Sequence, residues 1–421
     1  MTFSPLHEQS YSLDHEAFIK TLATTENLLI IQDLDGVCMD LVKDPLTRKI
    51  SPDYIRATQQ FDDHFFVLTN GEHEGRRGVN RIVEKAFVDD STVSYLPGLA
   101  AGGVQWQTRT GNISHPGVSD AELVFLAKVP MLITQRLEEF FVEYSDYFPE
   151  AKCKALVQAA VLDNIVSPTA NLNVLAEHLQ DNLDIYLALQ QAIAALTDEL
   201  LEKATEQGLE DSFFVHYAPN LGRDEQGKEI VRFAAEHDSG TTDFQFMLRG
   251  AVKEAGVPVL LNHYYHQRTG TYPLGANFNA RQAPQENSAL LQLIKDNFDP
   301  ALMPLMIGVG DTVTSQVEGD IVRRGGSDRL FLELIQAIGA WANSGNLVTY
   351  IDSSQGELKN RTPLQLETVD GQTKVIAGVT DPEDPLRINM AFPGGFKQYT
   401  AAFQQAAQGR FNQISLATSN P

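Results

Sequence analysis

Apolar residues along this chain fall into two patterns, short unbroken runs and stripes at helical spacing. Leu28, Leu29, Ile30 and Ile31 form the first run, and Phe65, Phe66, Val67 and Leu68 the second. Runs this short, with no polar alternation, fit strands buried on both faces of a parallel sheet covered by helices. The gap between them is about 30 residues, room for one crossover helix and no inserted domain. A third strand-like piece, STVSYL at 91–96, leads into the glycine-rich stretch PGLAAGGVQWQTRTGNISHPG. From Asp120 to Gly208 the pattern turns helical. Leu137, Phe140, Phe141 and Tyr144 share one face, as do Leu189, Ile193, Leu196 and Leu200, and Gly208 suits a helix end. Strand-like runs then return at 212–217 (SFFVHY), 257–261 (VPVLL), 305–309 (LMIGV) and 347–351 (LVTYI). This order predicts an α/β protein with a doubly wound, mainly parallel Rossmann-like core. Residues 1–112 and 218–421 would build the core, and 113–217 an inserted α+β cap.

Composition narrows the partners. Of 421 residues, 43% are hydrophobic and 21% charged, and the net charge is −23. So acidic a surface repels nucleic-acid phosphates and anionic lipid, so neither nucleic acid nor a membrane is expected as a partner. A phosphorylated metabolite would meet the same field unless a bound cation reverses it locally. Two cysteines, Cys38 and Cys153, are too few for a disulfide framework. The start, MTFSPLHEQS, lacks the basic flank and apolar core of a secretory signal, and no apolar stretch reaches the ~18 residues of a membrane helix. A cytoplasmic protein, monomeric or a small homo-oligomer, is expected.

Three of the predicted strands end in chemistry-bearing residues. Leu28–Ile31 runs into Asp33-Leu34-Asp35-Gly36, Phe65–Leu68 into Thr69-Asn70-Gly71, and 305–309 into Gly310-Asp311-Thr312. Parallel strands deliver the residues just past their carboxyl ends to one crevice. Carboxylates from Asp33, Asp35 and Asp311 cannot all ionise side by side without a cation. Oxygen ligands with no Cys or His cluster favour Mg²⁺. Thr69 and the neighbouring backbone N–H groups suit an anionic phosphoryl group.

In order, DLDGV, LTNG and IGVGDT resemble the motifs of the haloacid-dehalogenase superfamily of phosphatases. The resemblance implies Asp33 as the nucleophile that forms an aspartyl-phosphate and Asp35 as the acid/base. It implies Mg²⁺ held by Asp33, the backbone carbonyl of Asp35, and Asp311, with a C2-type cap over the site. It also calls for a lysine that neutralises the phosphoryl group. Lys228, in VHYAPNLGRDEQGKEIVRF, has the expected setting, and Lys253 and Arg281 are the alternatives. The second acidic residue usual after the GD motif is missing from GDTVTSQV, leaving Ser315, Asp320 or Asp328 for that role. More of the chain, including DSGTTDFQFMLRG and RRGGSDR, is similar to the glucosylglycerol 3-phosphate phosphatase family. That resemblance implies a sugar-phosphate substrate, hydrolysed to a neutral osmolyte in salt tolerance.

A glycosyl group carries several hydroxyls, so its pocket needs paired donors and acceptors. Three polar stretches are candidates: Asp163-Asn164 with SPTANLN at 167–173, His216 with Asn220, and the run Arg323 to Arg329 with Arg324 in it. Other sugar phosphates, such as those of sucrose or trehalose, remain open, as does a binding protein without turnover. No GxGxxG turn comes after a strand, which argues against a dinucleotide-dependent oxidoreductase.

Overall fold

Leu28–Gln32 becomes an inner strand of an eight-stranded sheet in the computed structural model, which describes residues 4–87, 94–225, 227–236, 238–318, 321–358 and 361–418. Along the sheet the strands are Met390–Phe392, Leu347–Ile351, Leu305–Gly310, Leu28–Gln32, Phe65–Leu68, Gly98–Ala100, Gln105–Gln107 and Ile113–Ser114. The first six pair in parallel, and the last two are added through antiparallel pairings. Alternate side chains explain why the runs are unbroken. Leu29, Ile31, Phe66, Leu68 and Met306 pack on one face against the helices Lys253–Thr269, Asn287–Asn297 and Arg329–Ala342. Leu28, Ile30, Phe65, Val67 and Ile307 pack on the other against His15–Thr24, Pro52–Thr58 and Gly395–Thr418. The α/β, doubly wound reading of the sequence is therefore the fold that forms.

Strand order reverses between Leu28–Gln32 and Leu305–Gly310, because the chain builds outward from the first of these in one direction and then in the other. That switch point is where open α/β sheets leave a crevice at their carboxyl ends. Asp33 and Asp311 stand just past the two strands that flank it.

Two strand expectations change. The run 257–261 lies inside the helix Lys253–Thr269, whose Val257, Leu260, Leu261 and Tyr264 are buried. A helix covered on nearly every side shows the same continuous apolar run as a buried strand. The third core strand is Gly98–Ala100 rather than STVSYL, of which 91–93 lie outside the described residues. Pairing with Phe65–Leu68 begins at Gly98, where a Cβ would come within 2.3 Å of the Val67 carbonyl oxygen.

A second sheet covers the carboxyl ends of the first. Its strands, in order Val161–Leu162, Thr169–Asn171, Asp243–Leu248 and Phe213–Ala218, are antiparallel. Phe213, Val215, Tyr217, Phe244 and Phe246 pack on one face with Phe125 and with Leu137, Phe140 and Ile193 of the predicted helical stripes. Asp243–Leu248 lies beyond the boundary at 217 expected from sequence, yet it pairs along its whole length with Phe213–Ala218. We therefore place the end of the cap near residue 250, just before the helix Lys253–Thr269 rejoins the core. No helix among the described residues is long and apolar enough to cross a membrane.

Cap and core are fastened at the loop after Phe65–Leu68. The buried carboxylate of Glu72 accepts hydrogen bonds from the backbone N–H groups of Ile165, Val166 and Ser167 and from Ser167 Oγ, all at 2.8–2.9 Å. Arg77 adds an ion pair to Asp163 of the cap at 2.8 Å. Glu72→Ala leaves several donors facing no acceptor, each worth about 1–3 kcal/mol when buried. Urea unfolding is expected to show a loss of at least about 2 kcal/mol on that scale. An unchanged midpoint would mean that the loop does not rest on Glu72 in solution.

Candidate active site

Asp33 is placed by two constraints beneath it. Its N–H donates to the Val309 carbonyl at 2.9 Å, and its own carbonyl accepts from Gln32 Nε2 at 3.1 Å. Gln32 is fully buried and is itself fixed by the hydroxyls of Tyr54 and Tyr399, both donating to Gln32 Oε1 at 2.8 Å. The turn after Asp35 needs Gly36, whose φ is +75° and whose absent Cβ would lie 2.2 Å from Asp311 Oδ2. This glycine therefore lets Asp33 and Asp311 share one small space.

Lys253 is the cation at the centre. Its Nζ lies 2.8 Å from Asp33 Oδ2 and 2.6 Å from Asp328 Oδ1, and all three side chains are buried. Asp328 Oδ2 accepts the N–H groups of Asp311 and Thr312 at 2.9 Å, so one carboxylate holds both the lysine and the loop after Leu305–Gly310. Lys228, the residue favoured by sequence context, is elsewhere. It is about half exposed and its Nζ pairs with Asp198 at 3.0 Å. Arg281 is also remote, bound to Glu122 and to the carbonyls of Ser212 and Arg249. The reason is geometric: Lys228 lies just before the short strand Glu229–Val231 and reaches Asp198 on the helix Leu183–Glu206, whereas Lys253 opens the helix that packs against the core strands.

Asp33, Asp311 and Asp328 each offer a ligand oxygen, and these oxygens lie within 4.8 Å of one another. Burial pushes the Asp33 carboxyl up to about 7, against the pull of Lys253 and with a further push from Asp328 and Asp311. Burial likewise raises Asp311 to about 6, partly offset by Arg361 and reinforced by Asp328. Burial alone would lower the Lys253 ammonium, but Asp328 and Asp33 raise it above its ordinary value. Asp33 Oδ1 and Asp311 Oδ2 are buried and have no hydrogen-bond partner among the described residues. Both oxygens of Asp328 are engaged. The donor set therefore fits a hard divalent cation bound by Asp33 and Asp311, with Asp328 positioning the groups around it.

The remaining site residues expected from sequence sort into two groups. Asp35, Thr69, Asn70 and Gly71 line the same cavity as Asp33 and Asp311. Asp35 Oδ2 pairs with Arg48 Nη1 at 2.9 Å, and Thr69 Oγ1 accepts the Gly71 N–H at 3.3 Å. His216, Asn220 and Arg324 do not line it; they border a neighbouring cavity. His216 bridges Asn70 Nδ2 at 3.0 Å and Glu229 Oε1 at 2.9 Å. Asn220 is held by Tyr217, Gly222 and Glu229, and Arg324 makes a two-pronged pair with Asp381 at 2.8 Å. Ser315 also donates to Asp381, at 2.7 Å, and Asp320 lies outside the described residues.

Arg48 and Arg361 escaped the sequence reading. Each meets a motif carboxylate, Arg48 at Asp35 and Arg361 with its Nε 3.7 Å from Asp311 Oδ2. Neither has a periodic or motif signal, since only the folded chain brings them there. Of the cap stretch at 163–173, Asn164, Thr169, Asn171 and Asn173 do face the cavity.

Comparisons with known proteins bear on the family of the chain. The family model for glucosylglycerol-phosphate phosphatase matches residues 27–407. The glucosylglycerol-phosphate phosphatase of Synechocystis sp. is 64% identical over 415 residues, covering 96% of this chain and 98% of that protein. Among solved structures, the C-terminal domain of Candida albicans trehalose-6-phosphate phosphatase has a TM-score of 0.42 at 10% identity, covering 95% of this chain and 99% of its own. The Aspergillus fumigatus trehalose-6-phosphate phosphatase gives 0.39 at 9%, with the same coverages. Likenesses that loose decide nothing about this chain. Its match across residues 27–407 and its 64% identity to a full-length relative do: the chain belongs to the glucosylglycerol-phosphate phosphatase family.

Proposed function

We propose that this protein is a phosphoric monoester hydrolase acting on glucosylglycerol 3-phosphate, with Asp33 as nucleophile and Mg²⁺ as cofactor. The observation that carries the chemistry is the pair of buried oxygens on Asp33 and Asp311 that accept no hydrogen bond among the described residues, with the Lys253 ammonium on the other oxygen of Asp33. Family membership and the polar cap over the site support the substrate.

Asp33 attacks phosphorus in line and forms a bond to it while the ester P–O bond breaks. Asp35, at the cavity wall, gives its proton to the departing alkoxide oxygen, releasing the neutral glycoside. Water then attacks the phosphorus, Asp35 takes the proton from it, and the bond to Asp33 breaks to release inorganic phosphate. Splitting the reaction in this way replaces one high barrier with two lower ones. Thr69, Asn70 and Gly71 hold the phosphoryl oxygens through the hydroxyl, the amide and backbone N–H groups. Lys253 balances the charge of the nucleophile in its attacking position, a preorganised electrostatic role. Mg²⁺, when bound by Asp33, Asp311 and the backbone carbonyl of Asp35, would neutralise the phosphoryl charge in this acidic protein. The cap sheet excludes bulk water from the covalent intermediate. A cytoplasmic location goes with this reading, since a charged monoester does not cross a bilayer unaided.

Phosphate release from glucosylglycerol 3-phosphate with Mg²⁺ tests the assignment, with sucrose and trehalose phosphates as competitors. Asp33→Asn is expected to lower kcat by at least about 10³-fold. Full activity in that variant would end the mechanism. Lys253→Met should cost at least about 100-fold, the scale of losing one preorganised donor, while Lys228→Ala stays within about twofold of the parent. The reverse ranking would return the neutralising role to Lys228.

A further inference from the structure

The cap sheet turns an oddly polar face toward the cavity. On Asp243–Leu248, Phe244 and Phe246 point into the cap core, so Asp243 and Gln245 point the other way and line the cavity that holds Asp33 and Asp35. The neighbouring strand does the same, with Ala170 inward and Thr169 and Asn171 outward. Most of these polar groups are already committed. Thr169 Oγ1 donates to the Ser167 carbonyl at 2.7 Å, and the Asn171 amide oxygen accepts from Asn173 N and Nδ2 at 3.2 Å. Asn171 Nδ2 donates to Asp243 Oδ1 at 2.8 Å, which fixes the carboxylate in place.

Gln245 is the exception. Its strand neighbours across the sheet are Thr169 and His216, and both are bound elsewhere. Gln245 Oε1 is buried and has no hydrogen-bond partner among the described residues. A buried acceptor left unpaired costs free energy that a ligand hydroxyl would recover. Asp243 stands beside it, close enough to Asp35 and Arg361 to feel their charges. The pair therefore shares its cavity with Asp35, the residue assigned to the leaving oxygen.

We infer that Gln245 and Asp243 form a subsite for a polyhydroxylated leaving group, with Asn171 as the residue that positions Asp243. The inference rests on the phosphatase reading and adds to it the residues that select the substrate. Asp243 accepts one hydrogen bond at each oxygen, from Asn171 at Oδ1 and from Thr242 Oγ1 at Oδ2 at 3.3 Å, and each oxygen keeps a further lone pair. With the uncharged amide beside it, such a carboxylate suits sugar or glyceryl hydroxyls, which donate and accept together. An aryl leaving group offers them nothing. Sites built to meet a substrate hydroxyl discriminate strongly against analogues that lack it.

The test compares full-length wild type, Gln245→Met and Asp243→Asn in the presence of Mg²⁺. The substrates are glucosylglycerol 3-phosphate, sucrose and trehalose phosphates, and p-nitrophenyl phosphate. Gln245→Met is expected to lower kcat/KM for the glycoside phosphate by about 10- to 100-fold, mostly through KM. Activity on p-nitrophenyl phosphate should stay within about threefold, which also reports that the variant folds and keeps its catalytic groups. Asp243→Asn, of the same shape, should show the same split. An equal fall on every substrate, or no fall on any, overturns the subsite. If wild type prefers a different sugar phosphate and the variants lose that preference, the subsite stands and the substrate named above is wrong.

Discussion

One buried ammonium holds this site together. Lys253 bridges Asp33 and Asp328 at 2.8 and 2.6 Å, with all three side chains out of water. Charges so buried are tolerable only as a paired set, because removing one partner leaves an uncompensated charge worth about 3–5 kcal/mol. Asp328 also takes the N–H groups of Asp311 and Thr312, so the lysine, the nucleophile and the loop after Leu305–Gly310 form one unit. The negative charge left over on Asp33 and Asp311 is what makes a divalent cation a fitting guest. Gly36 permits the arrangement, since any side chain there would overlap Asp311.

The loop from Thr69 to Glu72 ties that unit to the cap on two sides. Asn70 meets His216, which is held by Glu229 of the cap, and Glu72 gathers the backbone amides of 165–167. The residues assigned to the phosphoryl group thus sit between two contacts that exist only while the cap lies over the core. The phosphate loop is thereby held against the cap on both sides. His216, which sequence alone suggested as a sugar contact, has this linking place instead.

Much of the fold was legible because its signal is local. Leu28–Gln32, Phe65–Leu68, Leu305–Gly310 and Leu347–Ile351 are strands buried on both faces, and unbroken apolar runs report that environment. The same signal misread 257–261, since the helix Lys253–Thr269 is enclosed almost as fully as a central strand. The cap boundary at 217 was early because Asp243–Leu248 belongs to the cap sheet through a pairing that spans an intervening loop.

Read alone, the chain already shows carboxylates just after two apolar strand-like runs and a Thr-Asn-Gly turn after a third. Strand ends and turns are set by residues a few positions apart, so the motif carries its own geometry. The tertiary structure alone shows that Lys253 and not Lys228 faces Asp33, that Arg48 and Arg361 meet the motif carboxylates, and that Gln245 Oε1 has no hydrogen-bond partner among the described residues. Electrostatic and hydrogen-bond partners are chosen by distance in space over a few ångströms. Lys253 and Asp328, 75 residues apart in the chain, meet at 2.6 Å because the helices Lys253–Thr269 and Arg329–Ala342 pack side by side, and no spacing along the chain encodes that.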